Sequence, residues 1–348
     1  MTTQLIRVVY PLEQNPEYRL VLRSSLEDWN QDIEPARAGP DWAEFEIRTA
    51  QAYFQFKPCL RSKKDGKLHW SMGSNYLSPV PQRRHIYPHF FSDENGSVSN
   101  VKRLVSTSGQ SHKYRIYLPP GYHENSLRRY PVCFMHDGHN LFFPEEAFAG
   151  QTWRVQQTVD ALDRMNSIET CIIVALYPND RFHDYTQPGC SRYAKFLTQT
   201  LIPEIDSSYR TLSGADNRVV MGSSLGGLVS FYLAWNYPHV FGRAACLSST
   251  FGYDNKLLRA VKRSKRKRPV KIYLDSGWPG DNFSVTQAMA HLLISKGYTL
   301  GSDVHYVAVP QASHDEVAWA GRLHLPFQLL LGLTYGSDQV IDPLGLSA

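Results

Sequence analysis

"VVMGSSLGGLVS", Val219 to Ser230, sets a glycine, two serines and two further glycines between a β-branched run and an apolar stretch. A strand that enters a helix through so short a turn forces the apex residue into a strained backbone with its side chain out of the sheet, and small neighbours are needed there to avoid collision. Ser224 is the central residue of G-x-S-x-G, and Gly222 and Gly226 on either side meet that need. The turn also puts Ser224 at the amino end of the following helix, where backbone N–H groups can hold a developing negative charge. The stretch reads either as a packing turn or as the seat of a nucleophilic serine, and a strand before and a helix after are what the second reading requires.

Outward from this turn, apolar strands alternate with helical stretches. "KYRIYLPPGY" and "YPVCFMHDG" read as strands, Trp153 to Met165 as a helix, "CIIVALYP" as a strand and "YAKFLTQTLIPEI" as a helix. After "RVVMG" and a helix from Leu225 to Trp235 come the strands "GRAACLSS" and "KIYLDSG", a helix over about Val285 to Lys296, the strand "VHYVAVP" and a last helix through "EVAWAGRLHLPFQLLL". Such alternation implies a mostly parallel sheet covered on both faces. Up to about residue 100 the texture differs: "RLVLRS", "AEFEIRT" and "AYFQFKPCL" are short alternating or aromatic runs divided by turn residues, the pattern of a β-sandwich. The polar stretch "FSDENGSVSN" (Phe91 to Asn100) reads as a linker, so the expected domains are 1–100 and 101–348.

With 348 residues, 42% of them hydrophobic and 20% charged, the chain can bury a sizeable core. Its net charge of +5 owes much to one run, "KRSKRKR" (Lys262 to Arg268), which reads as a solvated surface loop. One basic run without interleaved aromatics does not make a nucleic-acid surface, and no nucleic-acid partner is expected. The five cysteines are scattered, with no C-x-x-C pair, which argues against a disulfide framework and a zinc site. There is no basic leader before a long apolar stretch and no run of membrane-spanning length, so a cytoplasmic protein without a membrane partner is expected.

A serine hydroxyl attacks only when a base takes its proton, and the base needs an acid to hold its tautomer. On a doubly covered sheet both should follow the serine, acid first, in loops at the carboxyl ends of later strands. His314, in "QASHDEVAW" after "VHYVAVP", has that position, whereas His291 and His324 fall in helices and His305 in a strand. For the acid, "KIYLDSGWPGDNF" offers Asp275 within the strand, which reads as structural, and Asp281 in the loop beyond it, which is preferred. Leu225 supplies one oxyanion N–H and His139, in "FMHDGHN", is the candidate for the second. A metal held by the His139 imidazole with His136 or Asp137 is the weaker reading of that loop, because no clustered ligands join them.

With these residues in place, the segment from about Val101 to Gly332 resembles the putative-esterase family of α/β-hydrolases, which includes enterochelin esterases, feruloyl esterases, S-formylglutathione hydrolases and mycolyltransferases. The matching stretches are "YLPPGY", "HDGHNLF", "IPEIDSSYRT", "MGSSLGGLVSFYLAWNYPHVFG" and "SHDEVAWAGRL". The resemblance implies an α/β-hydrolase fold with Ser224 as nucleophile, His314 as base, and His139 and Leu225 as oxyanion donors; "SGWPGD" carries Asp281 over as the acid with extra residues in the loop. The amino-terminal part is similar to an early-set immunoglobulin-like sandwich, whose core would be built on Trp29, Trp42, Phe54, Phe56 and Trp70, with a glycan contact as a second use for those aromatics.

The expectation is a serine esterase acting on a small-molecule ester, with no metal or organic cofactor. Trp278 in the acid loop, and Arg181 with Tyr185 in "NDRFHDYTQP", are candidates to line the pocket; Arg181 would receive a carboxylate or phenolate, or simply form an ion pair. Acyl transfer to an alcohol and amide cleavage use the same serine chemistry, and a glycan-binding protein on a silent hydrolase scaffold is the rival from another class.

Overall fold

The strands around the Val219–Ser230 turn are buried along almost their whole length, as apolar runs must be when helices cover both faces of a parallel sheet. The computed structural model describes residues 2–78, 85–253 and 256–333. Its larger sheet is built from β1 (Lys102–Val105), β2 (Ser111–Leu118), β3 (Val132–Met135), β4 (Ile172–Tyr177), β5 (Arg218–Ser223), β6 (Arg243–Leu247), β7 (Lys271–Trp278) and β8 (Val304–Pro310). They lie in the order β1-β2-β4-β3-β5-β6-β7-β8, with a two-residue strand, Ser97–Val98, paired to β2 off this path. β2 is antiparallel to both its neighbours on the path, and every pairing from β4 across to β8 is parallel.

Between the strands run α1 (Val155–Arg164), α2 (Arg181–Tyr185), α3 (Cys190–Phe196), α4 (Ile202–Ser208), α5 (Leu225–Asn236), α6 (Lys256–Arg263), α7 (Phe283–Ser295), α8 (Glu316–Arg322) and α9 (His324–Leu331). The sheet is the one expected of an α/β-hydrolase. β3 stands between β4 and β5, so the chain leaves it in one direction and returns past it, and the turns after β3 and β5 border a crevice at the carboxyl ends of the strands. No helix among the described residues is long and apolar enough to cross a membrane. The basic residues of the Lys262–Arg268 run are exposed, at the end of α6 and in the turn that follows it, ahead of β7.

The amino-terminal strands form two sheets. One runs Arg37–Gly39, Trp42–Thr49, Thr2–Val9, His85–Ile86, and the other Tyr18–Ser24, Phe54–Ser62, Leu68–Trp70, with Tyr76–Ser78 paired to Phe54–Ser62. Alternate residues point inward, so Ile6, Val8, Phe45 and Ile47 of the first sheet share a core with Leu20, Leu22, Phe54, Phe56 and Leu60 of the second. The tryptophans expected in that core are not part of it. Trp70 is 40% exposed on a three-residue strand, 6.2 Å from half-buried Trp29. Trp42 occupies a non-core position of its alternating strand, under the Arg7 guanidinium at 4.1 Å. Aliphatic side chains and phenylalanines fill most of the interior, and the buried Tyr10 among them has its hydroxyl bonded to Glu124. Contacts divide the chain into one unit of Met1–Ser97, Pro119–Arg129 and Asp160–Asn166, and a second holding the rest.

Candidate active site

Ser224 links β5 to α5 with φ 55° and ψ −121°, a conformation that costs a residue with a side chain on the order of 1–3 kcal/mol and persists only where its surroundings hold it. Its N–H donates to Leu247 O at 2.9 Å, and its carbonyl accepts from Leu228 N–H at 3.0 Å and Thr250 N–H at 3.3 Å. A Cβ on Gly222 would lie 2.6 Å from the Gly226 carbonyl carbon, and one on Gly226 would lie 3.2 Å from Asp137 Oδ2. Gly222 therefore excludes a side chain, and at Gly226 a Cβ would press on Asp137, because β5, α5 and the turn after β3 converge there. Leu225 opens α5, and its N–H is one of the first-turn donors that have no intrahelical acceptor.

The turn after β3 is a single 3₁₀ turn, Gly138–Asn140, entered through Asp137 in the left-handed conformation at φ 56°. Buried Asp137 is gripped by Arg181, whose Nε and Nη2 donate to its two oxygens at 2.8 Å each, and Asp137 N–H donates to the Tyr185 hydroxyl at 3.1 Å. Arg181 and Tyr185 are the two ends of α2, started by Asp180, whose carboxylate accepts from His183 N–H. The N–H of half-buried His139 precedes the turn's first bond, Asn140 N–H to Asp137 O at 2.8 Å, so the turn gives it no acceptor. His136 is engaged elsewhere: its Nδ1 meets the Tyr193 hydroxyl at 3.1 Å, and burial, with Arg181 nearby, lowers its pKa to about 3. Among the described residues no three His, Cys, Asp or Glu side chains are arranged to hold a metal ion.

His314 lies between β8 and α8, and Asp281 between β7 and α7. His314 Nδ1 is 2.5 Å from Asp281 Oδ1, with the aspartate side chain 2% exposed and the histidine 38%. The other oxygen of Asp281 accepts from Ser248 Oγ at 2.5 Å and Gly277 N–H at 2.7 Å. Burial works to raise the Asp281 pKa, but the hydrogen bonds from His314, Ser248 and Gly277 outweigh it and hold the carboxyl below the usual aspartate range. A carboxylate that accepts the Nδ1 hydrogen leaves Nε2 as the basic nitrogen of a neutral ring. The Trp319 ring stands edge-on to the imidazole, 5.0 Å away at 82°.

Of the two aspartates that the sequence offers, Asp281 is the one in contact with His314. Asp275 is fully buried in β7, where it accepts from Tyr273 Oη at 2.9 Å and Ser248 N–H at 3.2 Å and pairs with Arg322 Nε at 3.1 Å. Ser224 joins this group through the chain after β6: Leu247 and Thr250 bond its backbone, and Ser248 between them bonds Asp281. Sequence reasoning passed over Ser248, Trp319 and Arg322. The available signal was the helical spacing of the last two, which puts both on the buried face of α8 behind His314.

The residues expected to line a pocket divide. Trp278 ends β7 and is 49% exposed, with Phe283 6.4 Å from its ring. Tyr185 is buried, with its ring bordering a cleft shared with Leu228, Tyr232 and Tyr253. Arg181 has its charge committed to Asp137.

The family model described as "Putative esterase" matches residues 106–325. YjcH, an uncharacterized protein of Bacillus subtilis (strain 168), is 29% identical over 189 residues, which is 53% of this chain and 74% of YjcH. Among solved structures, a ferulic acid esterase superposes with a TM-score of 0.57 at 18% identity, over 68% of this chain and 98% of its own. The enterobactin esterase FES from Shigella flexneri does so with a TM-score of 0.54 at 16% identity, over 94% of this chain and 92% of its own. At these identities both likenesses are likenesses of fold.

Proposed function

The chain belongs to the putative-esterase family and is a carboxylic ester hydrolase, and we propose that it works through an acyl-enzyme on Ser224, with His314 as base and Asp281 as the acid that orients it. His314 Nε2 takes the hydroxyl proton as Ser224 Oγ bonds to the ester carbonyl carbon, and the carbonyl electron pair moves onto oxygen between the amides of His139 and Leu225. Asp281 accepts from Nδ1–H and stabilises the imidazolium. The intermediate collapses, the alkoxide leaves with the proton from Nε2, and a water activated by the same nitrogen then releases the acid and restores Ser224. The observation that carries this reading is the 2.5 Å contact between His314 and Asp281, in loops that, like the strained serine, follow the carboxyl ends of parallel strands. Trp278 and the cleft beside Tyr185 and Leu228 are the proposed substrate contacts, and Arg181 is read as a support of the oxyanion turn.

A fluorophosphonate probe tests this without a guess at the substrate. Mass spectrometry is expected to find one adduct, on the peptide carrying Ser224, that is lost in His314→Ala. Hydrolysis of 4-nitrophenyl acetate by Ser224→Ala is expected to fall by at least about 10³-fold. An adduct elsewhere, or turnover that survives Ser224→Ala, would overturn the assignment. Labelled enzyme then justifies a screen of short-chain, aromatic and siderophore-like esters.

A further inference from the structure

Behind the Asp281–His314 pair lies a buried cluster to which the reaction above gives no part. Ser248 follows β6 with a φ of 43°, and its Oγ is 2.5 Å from Asp281 Oδ2, 2.9 Å from Trp319 Nε1 and 2.7 Å from Arg322 Nη2. An indole N–H and a guanidinium can only donate, and an ionised carboxylate can only accept. The two nitrogens therefore give hydrogens to Ser248 Oγ, and the single hydrogen of the hydroxyl is left for Asp281 Oδ2. Its direction is set by chemistry, since no other arrangement satisfies all three neighbours.

Arg322 is 4% exposed and stands between two carboxylates, Nε 3.1 Å from Asp275 Oδ2 and Nη2 3.5 Å from Asp281 Oδ2. Asp275 is itself bonded by Tyr273 and by the Ser248 N–H. The titratable or charged groups facing Asp281 are thus His314 and Arg322, those facing Arg322 are the two aspartates, and Tyr273 faces Asp275. A cluster that served only to pin α8 to the sheet would be replaceable by apolar side chains at little cost. Here Ser248 Oγ takes the Trp319 and Arg322 hydrogens and turns its own to the oxygen of Asp281 that does not meet the histidine, while Arg322 Nε stands beside the Asp275 carboxylate.

We propose that Ser248 and Arg322 are positioning residues for the Asp281–His314 pair: Ser248 Oγ, held in place by Arg322 Nη2, joins the Gly277 N–H in saturating Asp281 Oδ2 so that Oδ1 alone faces His314, while the Arg322 cation balances Asp275. The proposal rests on the reading of His314 as the base. In Ser248→Ala the carboxylate loses a donor, is freer to rotate and pulls harder on the Nδ1 hydrogen. With 4-nitrophenyl acetate, kcat is expected to fall about tenfold with KM within about twofold, because ground-state binding is untouched. The acid limb of kcat/KM, followed from about pH 5 to 9, moves to higher pH, since the imidazolium is favoured.

The double variant Asp275→Asn, Arg322→Met removes the buried charge pair as a unit, which avoids an uncompensated carboxylate, and is expected to move the limb in the same direction. It decides the matter if Ser248→Ala does not fold. A lowered Tm with kcat, KM and the acid limb unchanged in the folded variants would reduce the cluster to packing and overturn the proposal. That result differs from failure of the underlying reading, in which the parent protein would turn over without Ser224.

Discussion

Gly277 does for the acid and the histidine what Gly222 and Gly226 do for the serine. A Cβ at this position would stand 1.9 Å from Ala312 O and 3.0 Å from Asp281 Cβ, so the loop that carries His314 passes directly over the bare end of β7. Gly277→Ala must push that loop away, and a displacement of about 1 Å at a reacting group can cost about 10²-fold in rate. The expected result is a kcat/KM loss of that order with the fold intact by circular dichroism. Gly222 of G-x-S-x-G was legible because the collision it avoids, with Gly226 four positions on, is local. The need for Gly277 arises from a loop distant in sequence, and nothing in "DSGWPG" signals it. The same limit kept Asp275 and Asp281 apart only by their place in strand or loop, whereas side-chain contacts separate them by chemistry. Asp281→Asn puts an amide where a carboxylate accepts from the imidazole and is expected to lower kcat by about 10³ to 10⁴. Asp275→Asn, which leaves the His314 contact in place, is expected to cost less than about tenfold. Steady-state kinetics on the two variants would separate them, and equal losses would refute the distinction.

Among the elements, the five residues of α2 hold the turn that carries the His139 amide. The helix is too short to show a 3.6-residue period, and "NDRFHDYTQP" accordingly reads only as a stretch after a strand end, with Tyr185 a candidate pocket residue and Arg181 either a ligand contact or half of an ion pair. In the fold, Arg181 closes a bidentate bond on Asp137, and Tyr185 takes the Asp137 N–H. Arg181→Met frees the entry to the 3₁₀ turn and leaves the Asp137 carboxylate buried without its cation. Loss of one aligned oxyanion donor costs about 10² to 10³ in kcat, and a donor that is loosened but not removed should cost less, about tenfold, with KM little changed. A rise in KM at constant kcat would instead make Arg181 a direct substrate contact. Long elements were the legible ones: β5 through β8 and α5 follow from continuous apolar runs and their spacing. The expected terminal helix is two, α8 and α9, which meet at Leu323, and the edge strand β1, largely exposed and four residues long, gave no pattern to find.

At the scale of the whole molecule, the change of texture near residue 100 marks where one kind of strand pattern ends, but contacts also assign 119–129 and 160–166 to the amino-terminal unit. Glu124 shows why that is not readable from sequence. In "GYHENSLRR" it is an ordinary polar residue, yet its Oε1 accepts from Phe90 N–H at 2.7 Å and Tyr10 Oη at 3.1 Å, and its Oε2 from Phe91 N–H at 3.0 Å, Ser92 N–H at 2.7 Å and Ser92 Oγ at 2.6 Å. Burial works to raise its pKa, but the bonds from Ser92, Phe90 and Phe91 outweigh it and hold the carboxyl below the ordinary glutamate value of 4.5. A carboxyl with a lowered folded-state pKa contributes stability that is present in full above its unfolded value and is lost as pH falls through the folded one. Glu124→Gln replaces one acceptor oxygen with an NH₂ that faces at least two donors, Phe90 N–H and Tyr10 Oη in the better orientation, and hydrogen bonds to a charged group are worth about 1.5–3 kcal/mol each. At neutral pH the variant is therefore expected to lose about that much in the stability of this unit. Below the ordinary value of 4.5 the parent's unfolded chain takes up a proton at Glu124 that the folded carboxyl still refuses, so the gap between parent and variant narrows as pH falls through the lowered folded value. Urea unfolding of both proteins at neutral pH and near pH 4, followed by the fluorescence of Trp29, Trp42 and Trp70, measures the gap directly; one that stays constant with pH would mean that the charge of Glu124 contributes nothing to holding Phe90 to Ser92.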